Sequence, residues 1–170
     1  MKNIKEKSSL ALFALPIILS LFLLYFSINN FKFGIDISDE SFYLSLISNP
    51  SLYKTTISQF GFVYNPLFLI LNGNIFLLRT VNFLIIFFLS WILSYQFLLL
   101  VFRNYKKNKL KIYLLLFSNG FASSGLACLF LLKWIPTPSY NYLNFIGVLI
   151  FSIGIILILQ KEVNKNEIIS

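Results

Sequence analysis

The chain contains no histidine and a single cysteine, Cys128, in 170 residues. Without histidine, serine–histidine and cysteine–histidine catalysis are excluded, and a zinc site loses its commonest nitrogen ligand. One thiol permits no internal disulfide. Charge is also scarce: Asp, Glu, Lys and Arg make up 12% of the residues, about half the share of an ordinary soluble domain. Only 6 of the charged residues are acidic, against 14 basic. A soluble enzyme, a DNA-binding domain and a disordered tail are all inconsistent with that composition. The net charge of +8 does not indicate nucleic acid, because the basic residues stand at the ends of apolar runs, where membrane topology accounts for them. No Asn-x-Ser/Thr glycosylation acceptor occurs, since Asn49 is followed by Pro50.

The chain is instead rich in apolar sequence, with 58% hydrophobic residues, 18% aromatics and a mean hydropathy of +0.80. Its apolar runs are long enough to approach the ~20 residues that cross a hydrocarbon core. The first, Leu10–Phe26, follows Lys2, Lys5 and Lys7 and continues through Ser27, Ile28, Asn29 and Asn30. It has no small-residue exit of the cleaved-signal type and reads as a retained span over about 10–30. Further spans are expected over 80–102, 112–132 and 143–159. The expected fold is therefore all-α: a single polytopic membrane domain over 1–170 with four transmembrane helices and a long outer loop, 32–79, carrying short interfacial helices.

Orientation follows from the basic residues. With the amino terminus in the cytoplasm, 10 of those near span ends lie inside, and Lys32, Lys54, Arg79 and Lys133 lie outside. The positive-inside rule thus places both termini in the cytoplasm of a cell-membrane protein. The apolar stretch Phe60–Leu78 competes as a fifth span, but Asn65-Pro66 and Asn72-Gly73-Asn74 interrupt it, and inserting it would move Arg103–Lys111 outside. A short helix in the outer interface fits better. No Asp, Glu, Lys or Arg falls inside the expected spans, which argues against an ion-coupled transporter. Gly120, Ser124 and Cys128 recur at every fourth position, and Gly147 and Gly154 share another face. Small residues so spaced suit close helix packing and offer partner contacts through spans three and four.

Three of the six acidic residues, Asp36, Asp39 and Glu40, fall within five positions just outside the first span. One reading is structural. Asp36 or Ser38 caps a helix reaching about Ile47, and the carboxylates complement its dipole. The other reading starts from repulsion, because on a helix Asp36 faces both Asp39 and Glu40. Either one carboxyl is protonated, or a cation sits among them: a metal ion, Lys54 or Arg79. A carboxyl in such a setting suits general-base work.

The order of these features resembles the membrane-embedded GT-C glycosyltransferases, which include protein O-mannosyltransferases and lipid A aminoarabinose transferases. It consists of a basic start, one span, and an outer loop opening with Asp39-Glu40 ahead of the aromatic pair Phe42-Tyr43. Tyr64-Asn65-Pro66-Leu67 is similar to their Pro-Pro-Leu-like stretch, with a single Pro66 in place of the pair, and Leu78-Arg79 to their loop-closing arginine. Pro136-Thr137-Pro138-Ser139-Tyr140-Asn141 is similar to an outer-loop motif of uncharacterised bacterial relatives. The likeness spans roughly residues 1–160 and corresponds to the amino-terminal portion of enzymes that usually have eight or more spans.

The resemblance implies transfer of a sugar from a polyprenyl-phosphate donor to an acceptor at the outer membrane face. It implies Asp39 as base, with Glu40 supporting it or binding a divalent metal ion, and Asp36 in reserve. It further implies phosphate contacts from Arg79 and Lys54, and sugar stacking by Tyr43 or Tyr64. The partners implied are membrane lipid and the lipid-linked donor, with no nucleic acid and no cofactor beyond that metal. The competing class is a non-enzymatic membrane scaffold or subunit, or an inactive fragment of the enzyme.

Overall fold

The computed structural model describes residues 2–33, 37–53, 59–103, 109–131 and 135–169. It is all-helical, with no strand among the described residues. The helices are α1 (Lys2–Asn30), α2 (Ile37–Ser48), α3 (Phe60–Ile70), α4 (Ile75–Val101), α5 (Lys109–Leu131) and α6 (Tyr140–Ile169), with a 3-10 turn at Pro50–Tyr53. Four of them carry stretches long and apolar enough to cross a membrane: Phe13–Asn30, Ile75–Val101, Lys109–Leu131 and Tyr140–Glu162. The chain is a multi-pass membrane protein.

The register between these helices can be read from their cross-contacts. Ser118 donates to the Phe13 carbonyl (2.9 Å), and Ser20 to the Phe121 carbonyl, so α1 and α5 run parallel. Ser124 donates to the Phe87 carbonyl (2.8 Å), whereas Trp91 packs edge-on to Phe117, so α5 and α4 run antiparallel. Arg79 meets Thr137 at one end of α4, and Gln160 donates to the Gln96 carbonyl (2.9 Å) near the other, so α4 and α6 run parallel. The spans therefore alternate in direction, as successive membrane passes must. α5 lies between α1 and α4, and α6 packs on α4.

Hydroxyl-to-carbonyl bonds of this kind matter in lipid, where hydrophobic burial drives no helix association. Glycines bring the backbones close enough to make them. A Cβ at Gly120 would stand 2.7 Å from the Trp91 ring, and one at Gly125 would stand 2.6 Å from Ser20 Oγ. The stripe of Gly120, Ser124 and Cys128, spaced four residues apart, is accordingly buried, as expected for a packing face. The stripe on α6 is different. Nothing lies within 4 Å of a Cβ placed at Gly147 or Gly154, and Phe151 between them is 70% exposed.

The segment that competed as a fifth span forms two pieces. α3 has 11 residues, about 16 Å of helix, which is too short to cross ~30 Å of hydrocarbon. It ends in a turn where Asn72 (φ 53°) and Gly73 (φ 72°) adopt the left-handed conformation, which glycine and asparagine enter most easily. Asn74 then caps α4 by accepting the Leu77 amide at 3.0 Å. Because this cap precedes Ile75, Arg79 lies inside the long apolar helix rather than just ahead of it. The expectation that no charge falls within a span is corrected at this position.

Candidate functional site

At the end of the bundle where α1 and α5 finish and α4 and α6 begin, the polar residues of the 32–79 segment meet the turn before α6. Glu40, in the first turn of α2, is 5% exposed and Arg79 is 6% exposed. Arg79 Nη2 donates to Glu40 Oε1 at 3.2 Å. Thr137, fully buried, donates its hydroxyl to the same oxygen at 3.0 Å and accepts from Arg79 Nε at 3.1 Å. Arg79 Nη1 donates to the Phe31 carbonyl at 2.7 Å. One guanidinium thereby ties α2, α4, the end of α1 and the Pro136–Pro138 turn into a unit.

This arrangement bears on the repulsion argument. A cation does sit against the acidic cluster, and it is Arg79, engaged with Glu40. The other members named from sequence, Asp36 and Lys54, lie outside the described residues, as does Lys133. Ser38 lies inside α2, which begins at Ile37 and ends at Ser48, close to the expected limit.

α2 is held from below by α3. A Cβ at Gly61 would fall 2.3 Å from the Leu46 carbonyl oxygen, so only glycine allows this approach. Asn65 donates to the Ile47 carbonyl at 2.8 Å, satisfying one of the groups that a helix end leaves unpaired. Leu46, Ile47, Phe60, Tyr64 and Leu78 form the small core beneath. Tyr64 is buried and donates to Asn82 Oδ1 at 2.9 Å, away from any sugar-stacking position. Burial pushes its phenol up from the ordinary value, which keeps it a hydrogen-bond donor. The Tyr64-Asn65-Pro66 stretch thus has a structural task in this chain: it supports α2.

With Glu40 turned inward, the adjacent Asp39 is turned out. A helix rotates about 100° per residue, so the two carboxylates cannot both face the Arg79 cage. Asp39 is exposed and lies on a groove of about 350 Å³ shared with Tyr43, Ile135, Ser139, Tyr140, Asn141 and Tyr142. Tyr43 meets Phe60 edge-on at 5.7 Å and Tyr140 edge-on at 6.5 Å, which fixes both tyrosines along the groove. One carboxylate among phenol, hydroxyl and amide groups provides hydrogen-bond acceptors and donors suited to a polyhydroxylated molecule. No three metal-ligating side chains gather among the described residues. A carboxylate oxygen shared between Arg79 and Thr137 is also poorly placed to hold a divalent cation.

The structure therefore brings together Asp39, Glu40, Tyr43 and Arg79 of the residues singled out from sequence. Glu40 and Arg79 form the buried frame, and Asp39 and Tyr43 line the open side. Thr137, whose hydroxyl closes the ion pair from 97 positions away, enters the sequence reading only as part of the Pro136–Asn141 motif and without a role of its own. The same holds for Ser139, Tyr140 and Asn141, whereas Tyr142 is not singled out by the sequence reading. The signal for the four residues within it is the polar island Pro136–Asn141 between two apolar runs, and Tyr142 lies one position beyond. Comparison with family models, with curated proteins and with solved structures finds no match to this chain.

Proposed function

We propose that the chain is a glycosyltransferase-like membrane protein, whole or as the amino-terminal part of a larger enzyme. It would move a sugar from a polyprenyl-phosphate donor to a hydroxyl acceptor at the outer membrane face. The observation that carries this reading is the groove at Asp39. It holds a carboxylate open to solvent, flanked by aromatic and hydroxyl side chains, at the mouth of the bundle where a lipid-anchored donor would lie. Asp39 takes the proton of the acceptor hydroxyl, the acceptor oxygen bonds to the anomeric carbon, and the bond to phosphate breaks with its electron pair leaving on the polyprenyl phosphate. Glu40 and Arg79 act as positioning residues, because each is engaged by the other. Lys54, the other cation that the resemblance assigns to phosphate contact, is the candidate for the departing phosphate. The cell membrane, with both termini cytoplasmic, is the setting this chemistry and the basic-residue asymmetry require.

A second reading, a non-enzymatic scaffold or subunit, is favoured by one observation: the open face of α6 at Gly147, Phe151 and Gly154. A transfer assay with isotope-labelled lipid-linked sugar separates the two. Asp39→Asn leaves the buried frame intact and is expected to lower turnover at least 100-fold, the lower range for a lost general base, with normal protein level. Undiminished transfer by this variant would remove Asp39 from the chemistry, and absence of any transfer by the native chain would favour the scaffold.

A further inference from the structure

A second cavity, of about 320 Å³, lies at the opposite end of the bundle. Arg79 and Arg103 are separated by 24 positions along α4 and its last turn, roughly 35 Å of helix, somewhat more than one hydrocarbon thickness. The cavity therefore sits at headgroup depth in the leaflet away from the Asp39 groove. Its floor is the contact between α4 and α6, where Gln160 donates to the Gln96 carbonyl and side-chain oxygen at 2.9 and 3.2 Å. Its rim carries Arg103, half-buried at the end of α4, and Lys109 at the start of α5. Leu99, Phe102, Ile112 and Tyr113 supply an apolar wall, and none of the described lining residues is acidic. The wall continues outward into lipid-facing side chains, with Val101 58% and Leu110 71% exposed.

We infer that this cavity binds the headgroup of an anionic phospholipid, with its phosphate between Arg103 and Lys109 and its acyl chains along α4 and α5. The single negative charge of the phosphodiester lies between two cations. The apolar wall and the depth of the cavity select a lipid over a free phosphate, since a soluble anion would leave Leu99, Phe102 and Ile112 facing water. The site does not depend on the reaction proposed above, nor on which side of the membrane that groove faces.

The test uses the full chain in uncharged detergent, titrated with dioleoyl phosphatidylglycerol and read by native mass spectrometry. Dioleoyl phosphatidylcholine and inorganic phosphate are the comparison ligands. Phosphatidylglycerol is expected to bind in preference to both. At about 1 kcal/mol for each cation near a charged headgroup, Lys109→Gln weakens it about fivefold, and Arg103→Gln with Lys109→Gln about thirtyfold. Lys111→Gln with Lys161→Gln, which removes the same charge from exposed positions outside the cavity lining, weakens it much less. Lys109 is exposed, so its single variant preserves the fold and carries the test even if the Arg103 variant does not fold. Equal binding of phosphatidylcholine overturns the proposal, as does displacement of the lipid by millimolar phosphate. An equal loss from the two charge-matched pairs would show a diffuse basic surface and overturn it as well.

Discussion

Removing the Arg79 guanidinium is the perturbation most informative about how the outer segment is held. Arg79→Leu deletes the ion pair to Glu40 at 3.2 Å, the bond from Nε to Thr137 and the bond to the Phe31 carbonyl, in one substitution. The side chains of both ionic partners are only 7% exposed, so the lost arginine leaves a carboxylate that solvent cannot readily reach. Losing one partner of a buried pair costs about 3–5 kcal/mol, against roughly 1 kcal/mol or less for an exposed pair. The folded-to-unfolded ratio should thus fall by about two to four orders of magnitude, read by tryptophan fluorescence during unfolding of the full chain in detergent. Sugar transfer should fall in parallel, because Asp39 loses its frame. Replacing Glu40 and Arg79 together by leucine should destabilise less than Arg79→Leu alone, since no orphan charge remains. A cost below 1 kcal/mol for Arg79→Leu, or a selective loss of donor use with unchanged stability, would refute the framing role and return Arg79 to the phosphate.

Packing and burial set the outcome at three further positions. Gly61→Ala should destabilise by about 1–3 kcal/mol or more in the same unfolding assay, by forcing α3 away from the Leu46 carbonyl. Gly147→Ala, which meets nothing within 4 Å, should leave stability of the isolated chain unchanged or slightly raised, since alanine is the better helix former. Tyr64→Phe strands Asn82 Oδ1 in a buried site and should cost about 1–3 kcal/mol. Burial raises the Tyr64 phenol in the folded state, so its contribution is complete below the ordinary tyrosine value and declines as pH rises above about 10. The native chain should lose stability there and the phenylalanine variant less.

The four spans were legible because length and apolarity alone define them, and the break in the fifth stretch was visible in Asn72-Gly73-Asn74. The boundaries were less so. A search for uncharged sequence stops after Arg79, whereas the helix starts at Ile75 because Asn74 caps it. Arg79 is accommodated within a long apolar helix by Glu40 and Thr137, and no local pattern reveals partners 39 and 58 positions away. Small-residue spacing identified two helix faces equally well. Among the described residues one of them, Gly120–Cys128, meets another helix and the α6 face does not, because spacing shows what a face permits and not what covers it. Of the acidic cluster, the sequence predicted either a protonated carboxyl or a cation close by, and Arg79 stands against Glu40. Which carboxylate it would take followed from the rotation of α2, with Glu40 facing inward and Asp39 outward.

The account rests on Asp39 facing a groove on the outer side of the membrane, and labelling of a single cysteine at that position tests it most directly. Cys128 is 1% exposed and should stay silent to a membrane-impermeant maleimide. Asp39→Cys is expected to react in intact cells, and Lys161→Cys only after the membrane is opened. Protection of position 39 in intact cells, with ready labelling of position 161, would contradict the account.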